Sequence, residues 1–85
     1  MVRYQVPVSR DLLDAQPWEP VAGFRMLTTD GPWPGHPGMV LCTFEDDGAP
    51  RELDGKIVDV TLSTHQSEDG QREIRVSSRT EISWP

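Results

Sequence analysis

Residues 55–84 read GKIVDVTLSTHQSEDGQREIRVSSRTEISW, and the fold is decided there. In the second half of the stretch Ile74, Val76, Ser78, Thr80, Ile82 and Trp84 fall on one side of an extended chain. Glu73, Arg75, Ser77, Arg79 and Glu81 fall on the other. In the first half Val58, Val60 and Leu62 stand opposite Asp59, Thr61 and Ser63. Successive side chains of a strand point to opposite faces, so a period of two predicts a hairpin with one dry and one wet side.

The turn is narrowed by register. Asp69-Gly70 suits a two-residue type I′ turn. That turn would set Leu62 against Ser77, an inward residue against an outward one, whereas directly opposed residues share a face. A three-residue loop, Glu68-Asp69-Gly70, with Gly70 in the left-handed conformation, restores the match. Leu62 then faces Val76, Thr64 faces Ile74, and on the wet side Asp59 faces Arg79. Slipping two residues further would oppose Asp59 and Glu81, a like-charge pair.

Working outward, Val2, Tyr4, Val6 and Val8 alternate with Arg3, Gln5, Pro7 and Ser9, which predicts a first strand whose donor side meets an edge at Pro7. Residues 9–15 predict one or two helical turns capped by Ser9 or Asp11, with Leu12 and Leu13 plugging one end of the core. Val21–Thr28 reads as a second strand, with Phe24 and Met26 on one face and Arg25 on the other. Asp30–Gly38 is a Gly/Pro loop carrying Trp33 and His36, and Met39–Glu45 is a strand apolar on both faces. Such a strand is central, or covered by a neighbouring segment. Glu45–Glu52 reads as a polar, solvated turn.

Five short strands with frequent turn signals predict one domain spanning residues 1–85. Its class is all-β and mostly antiparallel, a small five-stranded barrel or sandwich with one short helical turn near residues 9–15. Closure removes exposed edges, which favours the barrel. A chain of this size buries only about 60–65% of its surface, so its core is thin.

The formal charge of −6 argues against nucleic-acid binding, which needs a basic stripe. Anionic membrane surfaces are disfavoured for the same reason. No apolar run is long enough to span a bilayer, and the N-terminus lacks a signal-peptide core, so a cytoplasmic location is expected. The lone Cys42 forms no internal disulfide framework and reads as core. His36 and His65 have no ligand-like spacing to other His, Cys or carboxylate residues. Neither a metal nor a cofactor is expected, and no nucleophile–base pattern marks a catalytic site.

The candidate binding residues are Trp33 and His36 in the stiff Gly/Pro loop, Trp18 between Pro17 and Pro20, and Arg25. A proline-stiffened loop loses little entropy on binding, and Trp supplies a large rigid contact surface. The competing use of each Trp is to lid a thin core. The reading is a non-catalytic interaction or accessory domain with a protein partner, or a second copy of itself as a homodimer. An acidic inhibitor or DNA mimic acting on a basic partner is the first alternative, and a small-molecule-binding barrel the second.

Overall fold

A computed structural model of the protein describes residues 1–82. The elements in chain order are β1 (Val2–Ser9), α1 (Arg10–Ala15), β2 (Phe24–Pro32), β3 (Met39–Asp46), a 3-10 turn (Arg51–Leu53), β4 (Val58–Gln66) and β5 (Arg72–Glu81). They build an all-β, mostly antiparallel fold of two sheets, one ordered β1-β3-β2 and one formed by the β4-β5 hairpin. The inner faces share one core. Tyr4, Val6, Phe24, Val40, Cys42, Phe44 and Val58 are buried in it, and Val60, Leu62, Ile74 and Val76 of the hairpin pack against it half-buried.

β3 is the central strand, which accounts for its apolar character on both faces. Its inner residues Val40, Cys42 and Phe44 meet Val8, Val6 and Tyr4 of β1 rung by rung. The two sheets do not close into the barrel expected from sequence, and Pro7 supplies a reason. The outer edge of β1 begins a parallel ladder with the segment entering β4: the Gly55 N–H donates to Arg3 O at 2.8 Å, and the Gln5 N–H to Lys56 O at 2.9 Å. The next donor on that edge would be residue 7, and proline has none. Beyond it β1 and β4 have no ladder, leaving an apolar cavity of about 370 Å³ whose lining includes Val6, Val8, Trp18, Phe44 and Leu62.

Ser9 caps the short helix, accepting from the Leu12 N–H at 3.3 Å. Leu13 packs on the core, but Leu12 is about half exposed and plugs nothing. The second strand lies further along the chain than expected. Val21 is held in a turn, its N–H donating to Trp18 O at 2.9 Å, while β2 runs on to Pro32. Two irregularities, at Leu27 and Asp30, let this Gly/Pro-containing segment stay paired to β3. The connecting loop shrinks to residues 33–38.

The hairpin turn is the three-residue loop Glu68-Asp69-Gly70, with Gly70 at φ +85° and the Ser67 N–H donating to Gln71 O at 2.9 Å. Leu62 opposes Val76 and Thr64 opposes Ile74. Lower down the expected register fails. A bulge places the extra residue Ser77 between Leu62↔Val76 and Thr61↔Ser78, so Asp59 faces Thr80 and Val60 faces Arg79. The Ser77 hydroxyl donates to Thr61 O at 3.0 Å across the bulge. Past that point the alternation inverts, and Arg79 turns inward rather than joining the wet face. The Trp84 assignment lies outside the described residues.

Candidate functional site

The Gly/Pro loop is a rigid, closed turn. The Trp33 N–H donates to Met39 O at 2.9 Å, the His36 N–H to Trp33 O at 3.1 Å, and the Met39 N–H to His36 O at 3.1 Å. Gly35 and Gly38 take φ near +80°, which glycine reaches without steric cost. The His36 ring stacks on Trp33 with centroids 3.6 Å apart and planes within 11°. Trp33 is half-buried and His36 exposed. The outer face of the sheet next to this loop is apolar: Leu41 is paired with Pro7 and Gly31, and Met39 with Ser9. Pro7, Met39 and Leu41 are all half-exposed.

The other sequence candidates lie elsewhere. Trp18 is 7% exposed and meets Phe44 edge-on at 5.2 Å. It is part of the core, and it forms no common aromatic surface with Trp33. Arg25 stands at the far end of β2, about 23 Å from Pro32 at about 3.3 Å per residue. Its guanidinium binds Glu45 Oε1 at 2.7 Å, while Arg3 holds Glu45 Oε2 at 3.2 Å from the opposite strand. Arg3, Glu45 and Arg25 form one rung across β1, β3 and β2. Desolvation works against ionisation of Glu45, but hydrogen bonds and charge from Arg25 and Arg3 hold its carboxyl below the usual range.

Asp30, unpaired at the second irregularity of β2, accepts from the rung Gln5–Thr43–Thr28 at 3.0, 2.6 and 2.7 Å, tying the three strands together. Desolvation opposes its ionisation too. The Thr43, Gln5 and Thr28 donors prevail and lower its pKa.

The strongest polar constellation went unforeseen. Asp46 was expected in a solvated acidic turn, yet it is 1% exposed. Arg79 grips it with both prongs, Nε to Oδ2 at 2.6 Å and Nη2 to Oδ1 at 3.0 Å. The Tyr4 hydroxyl donates to Oδ2, and the Gly48 N–H to Oδ1 at 3.0 Å. Burial alone would raise the Asp46 pKa; hydrogen bonds from Arg79 and Tyr4, the guanidinium charge and the Gly48 N–H outweigh it and lower the pKa. The Tyr4 phenol moves upward, first through burial and then through the Asp46 carboxylate. With four donors on its two oxygens, Asp46 is engaged as a structural clamp joining β3, β1 and β5. No sequence period marks the clamp, because the Ser77 bulge creates it.

The clamp floors a cleft of about 490 Å³ between residues 20–24 and β5, with Asp47, Arg72, Ile74 and Arg75 on its walls. Neither this cleft nor the apolar cavity is lined by Trp33 or His36. Ser63 Oγ lies 3.0 Å from His65 Nε2, with Glu73 across the hairpin. Ser63 and His65 lie outside the cleft lining, and the Glu73 carboxylate is turned to Arg75 at 2.8 Å, so no assembled triad results. Burial pushes the Cys42 thiol pKa up, as suits a core residue. Among the described residues no group of His, Cys, Asp and Glu side chains converges as a metal site. Among the described residues no helix is long and apolar enough to cross a membrane.

No family model matches the chain, and no curated protein or solved structure shows significant similarity to it.

Proposed function

We propose that this chain is a non-catalytic protein-interaction domain that docks an apolar segment of a partner on the Trp33–His36 loop and the adjoining Pro7–Leu41 rung. The observation that carries the reading is the preorganised loop. Its aromatic stack is held by three backbone hydrogen bonds beside half-exposed Met39 and Leu41. A surface already rigid in the free protein loses little entropy on binding, and Trp and His present broad contact area.

An acidic antagonist is the second reading from charge, but the burial and pairing of Glu45 and Asp46 thin the acidic display it would need. Salt separates the two. Capture of a partner through an apolar loop persists from about 0.1 M to about 0.6 M salt, whereas an electrostatic complex weakens steeply. The experiment is quantitative capture from lysate at both salt concentrations with wild type, Trp33→Ala and Leu41→Ser. A partner retained at high salt by wild type and lost with both folded variants supports the reading. Retention by the variants, or loss at high salt, removes it.

A further inference from the structure

The two sheets end in edges of different kinds. Among the described residues the outer edges of β2 and β5 have no strand partner. The β2 edge is obstructed by two register shifts and ends in Gly31 and Pro32, devices that discourage strand addition. On β5, residues Arg72–Val76 run straight, without proline and without a bulge until Ser77.

Backbone parity says which groups this edge offers. The Ser67 N–H bonds Gln71 O, so along the antiparallel ladder Glu73 and Arg75 turn their peptide groups toward β4. Arg72, Ile74 and Val76 turn theirs outward. Ile74 and Val76 are also half-buried apolar residues at the end of the core, while Arg72, Glu73 and Arg75 are exposed.

We propose that this edge is a self-association surface, where a second copy of the chain pairs antiparallel with β5 about a two-fold axis at Ile74. Charge selects that register. Centred on Ile74, each Glu73 opposes the second copy's Arg75, each Ile74 meets its counterpart, and each Arg72 crosses the second copy's Val76. Centring one residue earlier opposes Glu73 to Glu73, and one residue later Arg75 to Arg75, both like-charge pairs. Centring on Val76 carries the ladder into the Ser77 bulge. Only the Ile74 register satisfies the outward peptide groups and both charge pairs together. The product is a four-stranded sheet, β4-β5-β5-β4, with the inner residues Leu62, Ile74 and Val76 continued across the axis. A two-fold contact of this kind uses the same patch on both copies and closes, so it gives a dimer and not a fibre.

The inference is independent of the loop assigned above, since it uses another element and another chemistry. Its test is sedimentation velocity from about 10 µM to about 1 mM protein, because self-association follows protomer concentration. Wild type is expected to reach twice the 9.6 kDa chain mass. Glu73→Arg alone sets two arginine pairs at the axis, and Arg75→Glu alone sets two glutamate pairs. Each variant is expected to weaken dimerisation roughly tenfold or more. Mixed in equal amounts, the two single variants regain complementary charges in every pair and form a heterodimer, and the double variant E73R/R75E dimerises with itself. These residues are exposed, and melting curves matching wild type confirm that each variant is folded. A wild type that stays monomeric at about 1 mM overturns the inference. So do single variants that dimerise as wild type does, or a mixture that fails to recover.

Discussion

Arg79→Met removes the guanidinium from the clamp while keeping most of the side-chain volume. Asp46, 2% exposed on its side chain, would keep only the Tyr4 and Gly48 donors. Stranding a buried carboxylate costs about 3–5 kcal/mol, because its hydration was given up on folding and its counter-charge is then missing. A domain of 85 residues has a total stability of only about 4–13 kcal/mol, so the variant stands near the limit of folding. The expected fall in Tm is about 12 °C or more, and the urea midpoint drops by about 2 M or more at an unchanged slope. Fluorescence reports through Trp18, whose ring is buried against Phe44. Asp46→Asn combined with Arg79→Met recovers part of the loss, since no charge then remains buried, and the cycle gives a coupling of about 1–3 kcal/mol. A loss below about 1 kcal/mol for Arg79→Met, or strict additivity in the cycle, would refute the clamp as the link between hairpin and sheet.

Asp46 contributes stability that is present above the ordinary carboxylate pKa of about 3.9 and fades as pH falls through its lowered native value. Asp46→Asn is therefore expected to flatten the fall in stability below about pH 4, and a slope matching wild type in acid urea titrations would contradict the assignment. Gly48→Ala places a Cβ 3.0 Å from Arg79 Nη2, and is expected to cost about 1 kcal/mol through the displaced guanidinium. The loss should vanish in an Arg79→Met background, as denaturant midpoints would reveal. Gly70→Ala puts a side chain at φ +85° in an otherwise open site, so a loss of about 1 kcal/mol is expected from backbone strain alone, measured by thermal melting. Trp33→Ala is expected to lower Tm by less than about 8 °C while abolishing partner capture; a collapse in Tm instead would make the loop a structural lid.

Much of the fold was legible because apolar residues repeat with period two. The hairpin loop and its upper register followed from requiring opposed residues to share a face. Ser9 as one of two possible caps, and a central position as one of two for β3, followed from equally local rules. The failures share a physical cause. A bulge inserts a residue without any compositional sign, so the alternation through Ser78, Thr80 and Ile82 looked intact while Arg79 had changed faces. The same blindness affected β2, where irregularities at Leu27 and Asp30 carried the strand through a segment whose Gly and Pro read as loop. The partners of Asp46, Tyr4 and Arg79, lie 42 and 33 residues away, and no local pattern reports that convergence. For the candidate site, the rigidity of the Trp33 loop was legible from its prolines, whereas the separation of Trp18 and Arg25 from it required the tertiary arrangement.

The Ser77 bulge links the clamp to the free edge. On one side of it, β5 is spent inward, because the inverted parity is what delivers Arg79 to Asp46. On the other side, Arg72–Val76 keep regular parity, with Ile74 and Val76 facing the core and the peptide groups of Arg72, Ile74 and Val76 facing out. Were Ser77 paired in a regular ladder instead of bulged, Arg79 would oppose Asp59 and point to solvent, leaving Asp46 without its counter-ion, an arrangement costing several kcal/mol. The bulge also interrupts the regular edge after Val76, so a strand added to β5 meets a short template and not the whole ten-residue strand. A long, flat edge invites promiscuous pairing, whereas the proposed two-fold register on a five-residue segment would stop at a pair. The bulge at Ser77 thus fixes the hairpin onto the sheet and bounds the regular edge of β5 at Val76.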